Sequence, residues 1–384
     1  MKKILVTYVE AGMGHITTAR AVQDILEKYK DEEVEVIGMN LFHNHPKLEK
    51  FEKFLVNEVK KASTNPLHSR SQFIAMHIIG SQNSLKFVNG FLVFKKQRDL
   101  YIEELKKINP DIIIDTHYFC SYASITYRNK FKPDCKVVTY DPDNNVHGWW
   151  DIRADYFIVN NEYAYNEALK RGFKKEQVKQ VFFITRQAVV DTNESKEFYR
   201  EKYGIPQNKF AVKLADGVYA KAKLKSFVYE LIKSDREMTI VAIAGKNKAL
   251  YEELMALKPT LPKNINLMPF EFMPAVYEIN KACDLFITKG GPNAVLDSVF
   301  MQTPVVINYY ANAVEATTKK LFVDTLHCGV EIKDKKKARE FVEKCIDNPD
   351  ILKPYVENEK KLDKNKNGAQ EVAEFVLDIA KGKK

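Results

Sequence analysis

Short apolar runs alternate with longer stretches of helical periodicity along most of the chain. In the first half these runs cover residues 4–9, 34–38, 111–115, 136–139, 157–159 and 181–184. In the second half they cover residues 210–214, 239–244, 265–267, 285–287 and 304–307. Short apolar runs bounded by turn residues predict buried parallel strands, and the segments between them predict helices. The pattern therefore predicts an α/β protein that contains the doubly wound arrangement twice.

The order of these elements predicts the domain boundaries. Residues 1–190 form the first α/β domain, and residues 205–365 form the second, after a polar and charged passage. Residues 366–384 are expected to be a C-terminal amphipathic helix and tail. Two α/β domains of similar size imply a cleft between them, which is a usual place for a ligand.

A glycine-rich turn follows the first strand and opens the first helix. It reads Gly12-Met-Gly14-His15, without the third glycine of the dinucleotide fingerprint, so NAD binding is weakly supported. His15 lies where the turn becomes the helix, and a histidine there could act as a general base. The alternative is that His15 caps or orients the turn.

A second glycine turn stands in the later domain, between two predicted strands. Lys289 is followed by Gly290 and Gly291, which let the backbone bend sharply and approach a ligand. Asn293 is expected to cap the helix that follows, and Asp297 lies about one turn further in, at a reach suited to ribose hydroxyls. A helix N-terminus after a glycine turn attracts phosphate, but an ordinary strand–helix turn that binds nothing has the same pattern.

Candidate ligand residues of the first domain lie after predicted strands. His117 follows the strand at residues 111–115, at the sheet edge where ligands gather in open α/β folds. Farther on, His147, Trp149 and Trp150 form either a packed corner or an exposed platform for an apolar acceptor. Asp141-Pro-Asp143 has the spacing of a metal-binding carboxylate pair, although a turn built on Asp-Pro explains it better.

Charge is concentrated in one part of the chain. The formal net charge is +9, and residues 41–107 hold twelve Lys and Arg against six Asp and Glu. Aromatic and aliphatic residues are interleaved with these cations, as in proteins that rest on anionic lipid headgroups. The alternative is a set of ordinary helices with apolar core faces and solvated lysines. Nucleic acid suits the charge as well, but the chain contains no nucleic-acid-binding motif, so no nucleic acid partner is expected.

Cysteine usage and hydropathy indicate the compartment. The five cysteines are scattered and form no Cys-x-x-Cys pair, which favours a reducing, cytosolic setting. No apolar run approaches the roughly 20 residues that cross a bilayer, and the apolar start is too short for a signal peptide. We expect a cytoplasmic protein, peripheral on the inner face of the cell membrane.

Several short motifs, taken in order, resemble one family. They are Gly12-Met-Gly-His15, Pro110-Asp-Ile-Ile-Ile-Asp-Thr-His117, His147-x-x-Trp150 with Asp155-Tyr-Phe-Ile-Val159, Ala244-Gly-Lys-Asn247 and Ile287-Thr-Lys-Gly-Gly291. In their order and spacing, the chain from Met1 to about Pro349 resembles the GT-B glycosyltransferases. The nearest subgroup contains the diacylglycerol glycosyltransferases (monogalactosyldiacylglycerol synthases) and the peptidoglycan GlcNAc transferase.

The resemblance implies a fold, a reaction and a set of site residues. Two Rossmann-like domains would face each other across a cleft, with a UDP-sugar donor in the second and a lipid acceptor at the first, on an anionic membrane surface. The anomeric carbon would be inverted, His15 would be the base, and no metal or other cofactor would be needed. Gly14 would stand with His15 as a catalytic residue. Donor-side residues would be Gly12, Arg186, Gly217, Lys289, Gly290, Gly291, Asn293, Asp297 and Glu315. Acceptor or lipid residues would be His117, His147, Trp149 and Trp150.

The sequence departs from the family pattern mostly on the donor side. Asp297 stands where the family places a ribose-binding Glu, and Val314 replaces the Gln beside Glu315. Only Gly217 remains of the glycine-rich phosphate turn that opens the second domain, and only Arg186 remains of the linker motif. Two other functions therefore stay open: transfer to a polyprenyl-linked or small-molecule acceptor, and non-catalytic binding of a nucleotide-sugar or a lipid.

Overall fold

Two separate parallel sheets organise the chain. The computed structural model describes residues 1–10, 13–29, 33–64, 66–92, 94–217, 222–310 and 315–383. The chain divides into a first unit, Met1–Gln187 with Asn365–Lys384, and a second unit, Ala188–Lys364. Gly12 of the predicted glycine turn and Val314 lie outside the described residues.

The first unit contains a six-stranded sheet in the order β2-β1-β3-β4-β5-β6, and every pair is parallel. Its strands are β1 Lys2–Thr7, β2 Val34–Met39, β3 Ile112–Asp115, β4 Lys136–Tyr140, β5 Tyr156–Val159 and β6 Val178–Gln180. Its helices are α1 Met13–Lys28, α2 Pro46–Thr64, α3 Pro66–Phe73, α4 Gln82–Lys86, α5 Lys95–Ile108, α6 Tyr118–Phe131 and α7 Glu162–Lys170. Two π-helical turns, Ile74–Ile78 and Phe87–Phe91, follow α3 and α4.

A short helix, α8 Gln187–Val190, crosses into the second unit, whose sheet has the order β12-β11-β10-β7-β8-β9, again all parallel. Its strands are β7 Phe210–Ala215, β8 Met238–Gly245, β9 Ile265–Glu271, β10 Leu285–Lys289, β11 Val305–Tyr309 and β12 Gly329–Glu331. Its helices are α9 Lys196–Tyr203, α10 Ala222–Leu231, α11 Lys248–Leu257, α12 Val276–Ala282, α13 Pro292–Phe300, α14 Ala316–Lys319, α15 Lys335–Asp347 and α16 Lys353–Lys360. A π-helical turn, Lys320–Thr325, follows α14.

Both faces of the first sheet are covered, which explains why its strands read as continuous apolar runs. Ile4 and Val6 of β1 lie in one buried cluster, and Leu5 between them lies in another on the opposite face. The first cluster also takes in the last helix, α17 Gly368–Ala380, through side chains such as Val372 and Val376. The C-terminal helix is therefore part of the first unit, although the chain reaches it only after the second.

One predicted strand is wrong. Residues 181–184 are buried but irregular, and the edge strand is β6, immediately before them. Their backbone groups are used by the C-terminal helix: Phe182 N–H donates to the Glu371 carboxylate at 2.9 Å, and Gly368 N–H donates to the Phe183 carbonyl at 3.0 Å. An apolar run predicts burial, but it does not predict which element supplies the hydrogen bonds.

The second unit confirms the predicted strands and adds one. β12, only three residues long, is an edge strand that pairs with β11, and its length gives no periodic signal. Within the described ranges, no helix is long and apolar enough to cross a bilayer.

Candidate active site

His15 is held in the tautomer that a general base needs. It lies in the first turn of α1, and its Nδ1 is 2.5 Å from the backbone carbonyl oxygen of Thr116, at the carboxyl end of β3. A carbonyl can only accept a hydrogen bond, so Nδ1 carries the proton and Nε2 keeps its lone pair. The Thr116 hydroxyl donates to the His15 carbonyl at 3.2 Å, which fixes the same two segments a second time.

Burial keeps His15 neutral. Burial lowers the pKa of His15, and the Asp143 carboxylate and the hydrogen bond to Thr116 partly oppose this shift. Burial also raises the pKa of Asp143, while His15 opposes that change. A neutral imidazole can accept a proton, and the imidazolium that results would be stabilised by the carboxylate nearby. Sequence reasoning missed Asp143 in this role because the residue lies 128 positions away in the chain.

Aromatic rings surround His15 within the first unit. The centroid of the His15 ring lies 5.0 Å from that of His117, which stacks at 4.3 Å on Tyr118. The Tyr118 ring in turn lies 5.4 Å from His147 and 5.6 Å from Trp149. The Trp150 ring stacks on His147 at 5.5 Å, so the structure brings all four predicted acceptor residues into one network of ring contacts that starts at His15.

The histidines of this cluster are neutral as well. Burial lowers the pKa of both His117 and His147 well below the usual value, and the neighbouring histidines, with Arg171 for His147, lower it further. His117 caps α6 by accepting from Phe119 N–H at 3.3 Å, and His147 accepts from Trp149 N–H at 3.2 Å. The wall beside His15 is therefore polar and aromatic but not cationic.

Trp150 needs a correction, because it is not available to an acceptor. Its side chain is 1% exposed and packs in a buried cluster with Val146 and Phe157. Trp150 is therefore a core residue at a packed corner. Trp149, which is half-buried, is the tryptophan whose ring a ligand could contact.

The Asp141–Asp143 segment forms the turn that the sequence favoured over a metal site. Asp141 is fully buried and accepts a hydrogen bond from Asp143 N–H at 3.0 Å. Burial raises the pKa of Asp141 well above its usual value, with Asp143 adding to the effect. In the described ranges no group of three or more His, Cys, Asp or Glu side chains could hold a metal ion.

His77 joins the aromatic cluster without a sequence signal. Its ring stacks at 4.2 Å on Phe73 and meets His147 edge-on at 5.6 Å. Burial lowers the pKa of His77 to about 4. The residue belongs to the π-helical turn Ile74–Ile78, within residues 41–107, whose composition suggested a contact with lipid headgroups.

In the second unit, two glycine turns lie at neighbouring strand ends. Gly217 follows β7 and has a φ of +83°, a left-handed conformation that favours glycine. Gly291, after β10, precedes α13 as its N-cap residue. The two strands pair directly, with Thr288 opposite Ala215, so both turns lie at the same edge of the sheet.

The Lys289 side chain extends across these turns. A Cβ placed on Gly217 would lie 3.5 Å from Lys289 Cε, and one on Gly291 would lie 3.6 Å from the same atom. The Lys289 ammonium forms a hydrogen-bonded ion pair with the Glu315 carboxylate, which is almost completely buried. Gly290 has no room for a side chain, because a Cβ there would lie 2.8 Å from the Glu315 carbonyl oxygen. Four predicted donor residues and Glu315 thus come together.

Tyr309 is a further group at this edge that the sequence did not reveal. Burial raises the pKa of its hydroxyl, and the negative charges of Asp216 and Glu315 raise it further. Tyr309 is the last residue of β11, and its carbonyl accepts from Gly290 N–H at 3.0 Å. A strand-end tyrosine is common in any sheet, so its position could not be inferred from the sequence.

The other predicted site residues lie in different settings. Asn293 does not cap α13, because the helix begins one residue earlier with Pro292 and its N-cap is Gly291, without a side-chain hydrogen bond. Asp297 is 9% exposed and lies in the second turn of the same helix. Gly14 lies in the first turn of α1, and its carbonyl accepts from the Thr18 hydroxyl at 2.8 Å. Arg186 belongs to the first unit, whereas the other donor-side residues after it belong to the second.

Comparison with protein families gives two matches that cover different parts of the chain. Residues 15–181 match the family described as "Monogalactosyldiacylglycerol (MGDG) synthase". Residues 205–380 match the "Glycosyltransferase family 28 C-terminal domain". The first match contains the His15 cluster, and the second contains the glycine turns with Lys289 and Glu315.

Characterised relatives are similar over most of the chain. A processive diacylglycerol beta-glucosyltransferase of Bacillus pumilus is 24% identical, over 98% of this chain and 95% of its own length. A probable chloroplastic monogalactosyldiacylglycerol synthase of Nicotiana tabacum is 23% identical, over 89% of this chain. The alignment spans only 64% of that plant protein.

Solved structures share the fold. MurG of Acinetobacter baumannii superposes with a TM-score of 0.65 at 11% identity, covering 98% of this chain and 99% of that one. UGT89C1 of Arabidopsis thaliana, in a complex with UDP, gives a TM-score of 0.62 at 12% identity, covering 99% and 100%. At such identities the likeness establishes the fold alone.

Proposed function

We propose that this chain transfers a hexose from a UDP-sugar to diacylglycerol or a related glycolipid. It belongs to the glycosyltransferases that combine an MGDG-synthase-type first domain with a family 28 C-terminal domain, on the GT-B fold. The observation that carries the proposal is His15, a neutral imidazole whose Nδ1 is hydrogen-bonded to the Thr116 carbonyl. The names of the bacterial and the plant relative both contain diacylglycerol.

The proposed reaction is a single displacement with inversion. The acceptor hydroxyl oxygen attacks C1 of the sugar, the bond from C1 to the phosphate oxygen breaks, and UDP leaves. Nε2 of His15 takes the hydroxyl proton, because a neutral alcohol is a poor nucleophile until it loses that proton. Asp143 stabilises the imidazolium, and the aromatic side chains of Tyr118 and Trp149 line the approach of the acceptor.

We propose further that the protein uses no metal cofactor. The leaving diphosphate would be stabilised by the Lys289 ammonium and by N–H groups in the first turn of α13, which begins directly after Gly291. Transfer should therefore continue at an unchanged rate in excess EDTA. A loss of activity that added Mg²⁺ restores would contradict this part of the proposal.

We propose that the acceptor is reached from an anionic membrane surface, on the cytoplasmic side. Between residues 54 and 92, seven large apolar residues of the described chain are at least 45% exposed: Phe54, Leu67, Ile78, Ile79, Phe87, Phe91 and Leu92. Exposed cations Arg70, Lys86, Lys95 and Lys96 lie between and beside them in the chain. Apolar groups that enter the interface and cations that meet anionic headgroups together favour adsorption to such a surface.

A cavity of about 360 Å³ opens in the same part of the first unit. It is lined by Phe51, Phe54, Phe94 and Leu100, with Lys47, Lys50, Lys96 and Gln97 at the remaining positions. Apolar walls with a cationic rim are suited to an acyl chain beneath a polar or anionic headgroup. The cavity supports a lipid as the acceptor class.

The proposal is tested by UDP release from a panel of UDP-hexoses, with liposomes that contain anionic lipid and diacylglycerol. His15→Ala should lower the rate about 10²–10⁴-fold, since one positioned base contributes on that scale, while UDP binding is retained. His45→Ala is the matched control, because His45 is half-buried and its ring accepts from Lys47 N–H at 3.1 Å.

Three results would point to another function. Turnover by His15→Ala at the wild-type rate would exclude His15 as the base. Transfer to a polyprenyl-linked or soluble acceptor, but not to diacylglycerol, would change the acceptor class. Failure of the wild-type protein to bind UDP at millimolar concentration would leave only a non-catalytic binding role.

A further inference from the structure

The Lys289–Glu315 ion pair stands out among the charged pairs of the second unit by its position. Its carboxylate side chain is 6% exposed and its ammonium side chain 22%, and it lies over both glycine turns at the edge of the sheet. The Arg200–Asp284 pair is equally buried, at 6% and 22%, but Asp284 precedes β10, at the end of that strand opposite the turns. Other pairs, such as Lys360 with Glu357 at 50% and 66%, are on exposed helix surfaces. Exposed pairs contribute little to stability, whereas removing one partner of a buried pair leaves a charge uncompensated.

The surroundings of the ammonium are suited to an anion. Gly217 and Gly291 have no side chains, so a ligand can approach their backbone closely, and Lys289 Nζ lies 3.8 Å from the place where a Gly291 Cβ would stand. α13, nine residues long, begins directly after Gly291 and directs its N-terminal N–H groups toward the same turn. A cation, bare glycine turns and a helix N-terminus therefore coincide at one place.

We propose that Lys289 and Glu315 form an exchangeable ion pair, here called the latch, that opens when the diphosphate of the donor binds. In the free protein Glu315 holds the ammonium over the two turns. When a nucleoside diphosphate sugar binds, the ammonium leaves the carboxylate and pairs with a diphosphate oxygen. The Glu315 carboxylate then accepts a hydrogen bond from a hydroxyl group of the sugar. This inference rests on the proposed function, since it assumes a donor with a diphosphate.

The exchange has a thermodynamic consequence that a fixed structural pair does not have. Glu315 competes with the diphosphate for the same ammonium, so it must lower the affinity for a bare nucleoside diphosphate. With a nucleotide sugar, the hydrogen bond to the sugar offsets that competition. The latch thus favours the complete donor over UDP, the product, and this preference aids product release.

Two substitutions separate these effects. Lys289→Met should weaken the binding of UDP about tenfold or more, the effect of losing one hydrogen bond to a charged group, and leave uridine binding unchanged. Glu315→Gln should strengthen UDP binding several-fold, because the ammonium no longer has a competing carboxylate. The same variant should reduce the ratio of UDP-sugar affinity to UDP affinity. All affinities are measured by calorimetry with UDP, uridine and a non-hydrolysable UDP-hexose.

Lys333 and Glu331 provide matched controls. They form a 2.9 Å ion pair on the same unit, close to the end of β11, with exposures of 57% and 28%. Lys333→Met and Glu331→Gln change the charge as the test variants do, at a pair that contacts Tyr310, whose ring lies against Gly290, and that is separate from the Lys289–Glu315 pair. Both controls should bind UDP with wild-type affinity. Lys289→Arg, which keeps the charge, should retain the preference for UDP over uridine.

The outcomes distinguish the latch from the proposed function. If the wild-type protein does not bind UDP, both are wrong. If it binds UDP but Glu315→Gln leaves that affinity unchanged or lowers it, the latch is wrong and the transferase proposal stands. If Lys289→Met fails to fold, the Glu315→Gln measurement alone decides, because the amide keeps the size of the carboxylate. Equal losses in the Lys333 and Lys289 variants would indicate a general charge effect and overturn the latch.

Discussion

Two groups prepare His15 for proton transfer, the Thr116 carbonyl and the Asp143 carboxylate. The Thr116 carbonyl selects the tautomer, and the carboxylate of Asp143 opposes the fall in pKa that burial causes. These two influences act on different properties: one fixes where the proton sits, and the other fixes how readily a second proton is accepted. A substitution at Asp143 can therefore change the pKa of His15 without changing its orientation.

Asp143→Asn should shift the pH profile of transfer in a defined direction. Asp143 raises the pKa of His15, so its removal lowers that pKa, and the acidic limb of kcat/KM should move to lower pH. The plateau rate should also fall, by less than in His15→Ala, because the imidazolium loses its counter-charge. Asp134→Asn, at an exposed carboxylate of the same unit, should leave the profile in place. An acidic limb that moves to higher pH would contradict the assignment.

Glu359 is a buried carboxyl group whose two oxygens have no hydrogen-bond partner in the described part of the chain. Burial raises its pKa well above the usual value. The carboxyl group therefore contributes stability that is fully present below the unfolded pKa of about 4.3 and is lost as the pH rises through the folded pKa. Over that interval the contribution falls by at most about 1.4 kcal/mol per pH unit.

Glu359→Gln should remove this pH dependence. The free energy of unfolding of the variant, relative to wild type, should increase as the pH rises above about 4.3, in denaturant titrations at several pH values. Glu357→Gln, on the same helix, is the control: Lys360 lowers the pKa of this exposed carboxyl, so its loss has a small effect of opposite sign. A relative stability of Glu359→Gln that is constant with pH would show that Glu359 is already ionised in the fold.

At the scale of elements, the C-terminal helix α17 is joined to the first unit by a short polar connection. Asn367 caps the helix by accepting from Ala369 N–H at 3.1 Å, and it also exchanges two hydrogen bonds with the Thr185 backbone, at 3.2 and 2.9 Å. These bonds fix the segment that the sequence suggested as a strand. Val372, Phe375 and Val376 then bury their side chains against α1 and the sheet.

Asn367→Ala should destabilise the first unit by about 1–3 kcal/mol, since it removes a cap and leaves the buried backbone groups of Thr185 without these partners. Thermal unfolding followed by circular dichroism measures the effect. Asn348→Ala is the matched control, because Asn348 also caps a helical turn, at 3.2 Å from Asp350 N, but in an exposed position. Equal shifts in the two variants would show that the connection to Thr185 adds nothing.

Sequence patterns predicted the elements better than the contacts between them. Apolar runs of three to six residues located nearly all strands of both sheets, because burial on two faces leaves a continuous signal. The three-residue edge strands β6 and β12 were missed, since so short a segment at the edge of a sheet has no period. The glycine turns and His15 were visible as motifs, whereas Asp143, His77 and Tyr309 were not. Their roles depend on which strand ends become neighbours, and that follows from the topology.

Contacts between pairs of residues were equally difficult to predict from the sequence. Lys289 and Glu315 were each predicted as donor residues, but their ion pair spans a segment of 26 residues and could not be inferred from either motif. Trp150 was assigned beside Trp149 to the acceptor, and the structure buries one of the two. Adjacent residues at an irregular corner point in different directions, and the sequence contains no periodicity there that would tell which one is buried.

At the scale of the whole molecule, charge and apolar exposure are distributed unevenly. The net charge of +9 includes a net +6 from residues 41–107, and the exposed apolar residues Ile78, Ile79, Phe87 and Phe91 belong to the same part of the first unit. Each cation near an anionic surface contributes about 1 kcal/mol, and this contribution is screened by salt. Apolar insertion adds a term that salt does not screen.

Vesicle sedimentation should separate these two contributions. Binding to vesicles with anionic lipid should weaken as the salt concentration rises, and vesicles of neutral lipid should bind weakly at any salt concentration. Phe91→Ser removes a side chain that is 78% exposed, and it should reduce binding to a similar extent at low and high salt. Phe198→Ser removes an aromatic group of the second unit that is 47% exposed, and it should have no effect. Equal losses in the two variants, or binding that is indifferent to salt and to lipid charge, would mean that the lipid acceptor is reached by another surface.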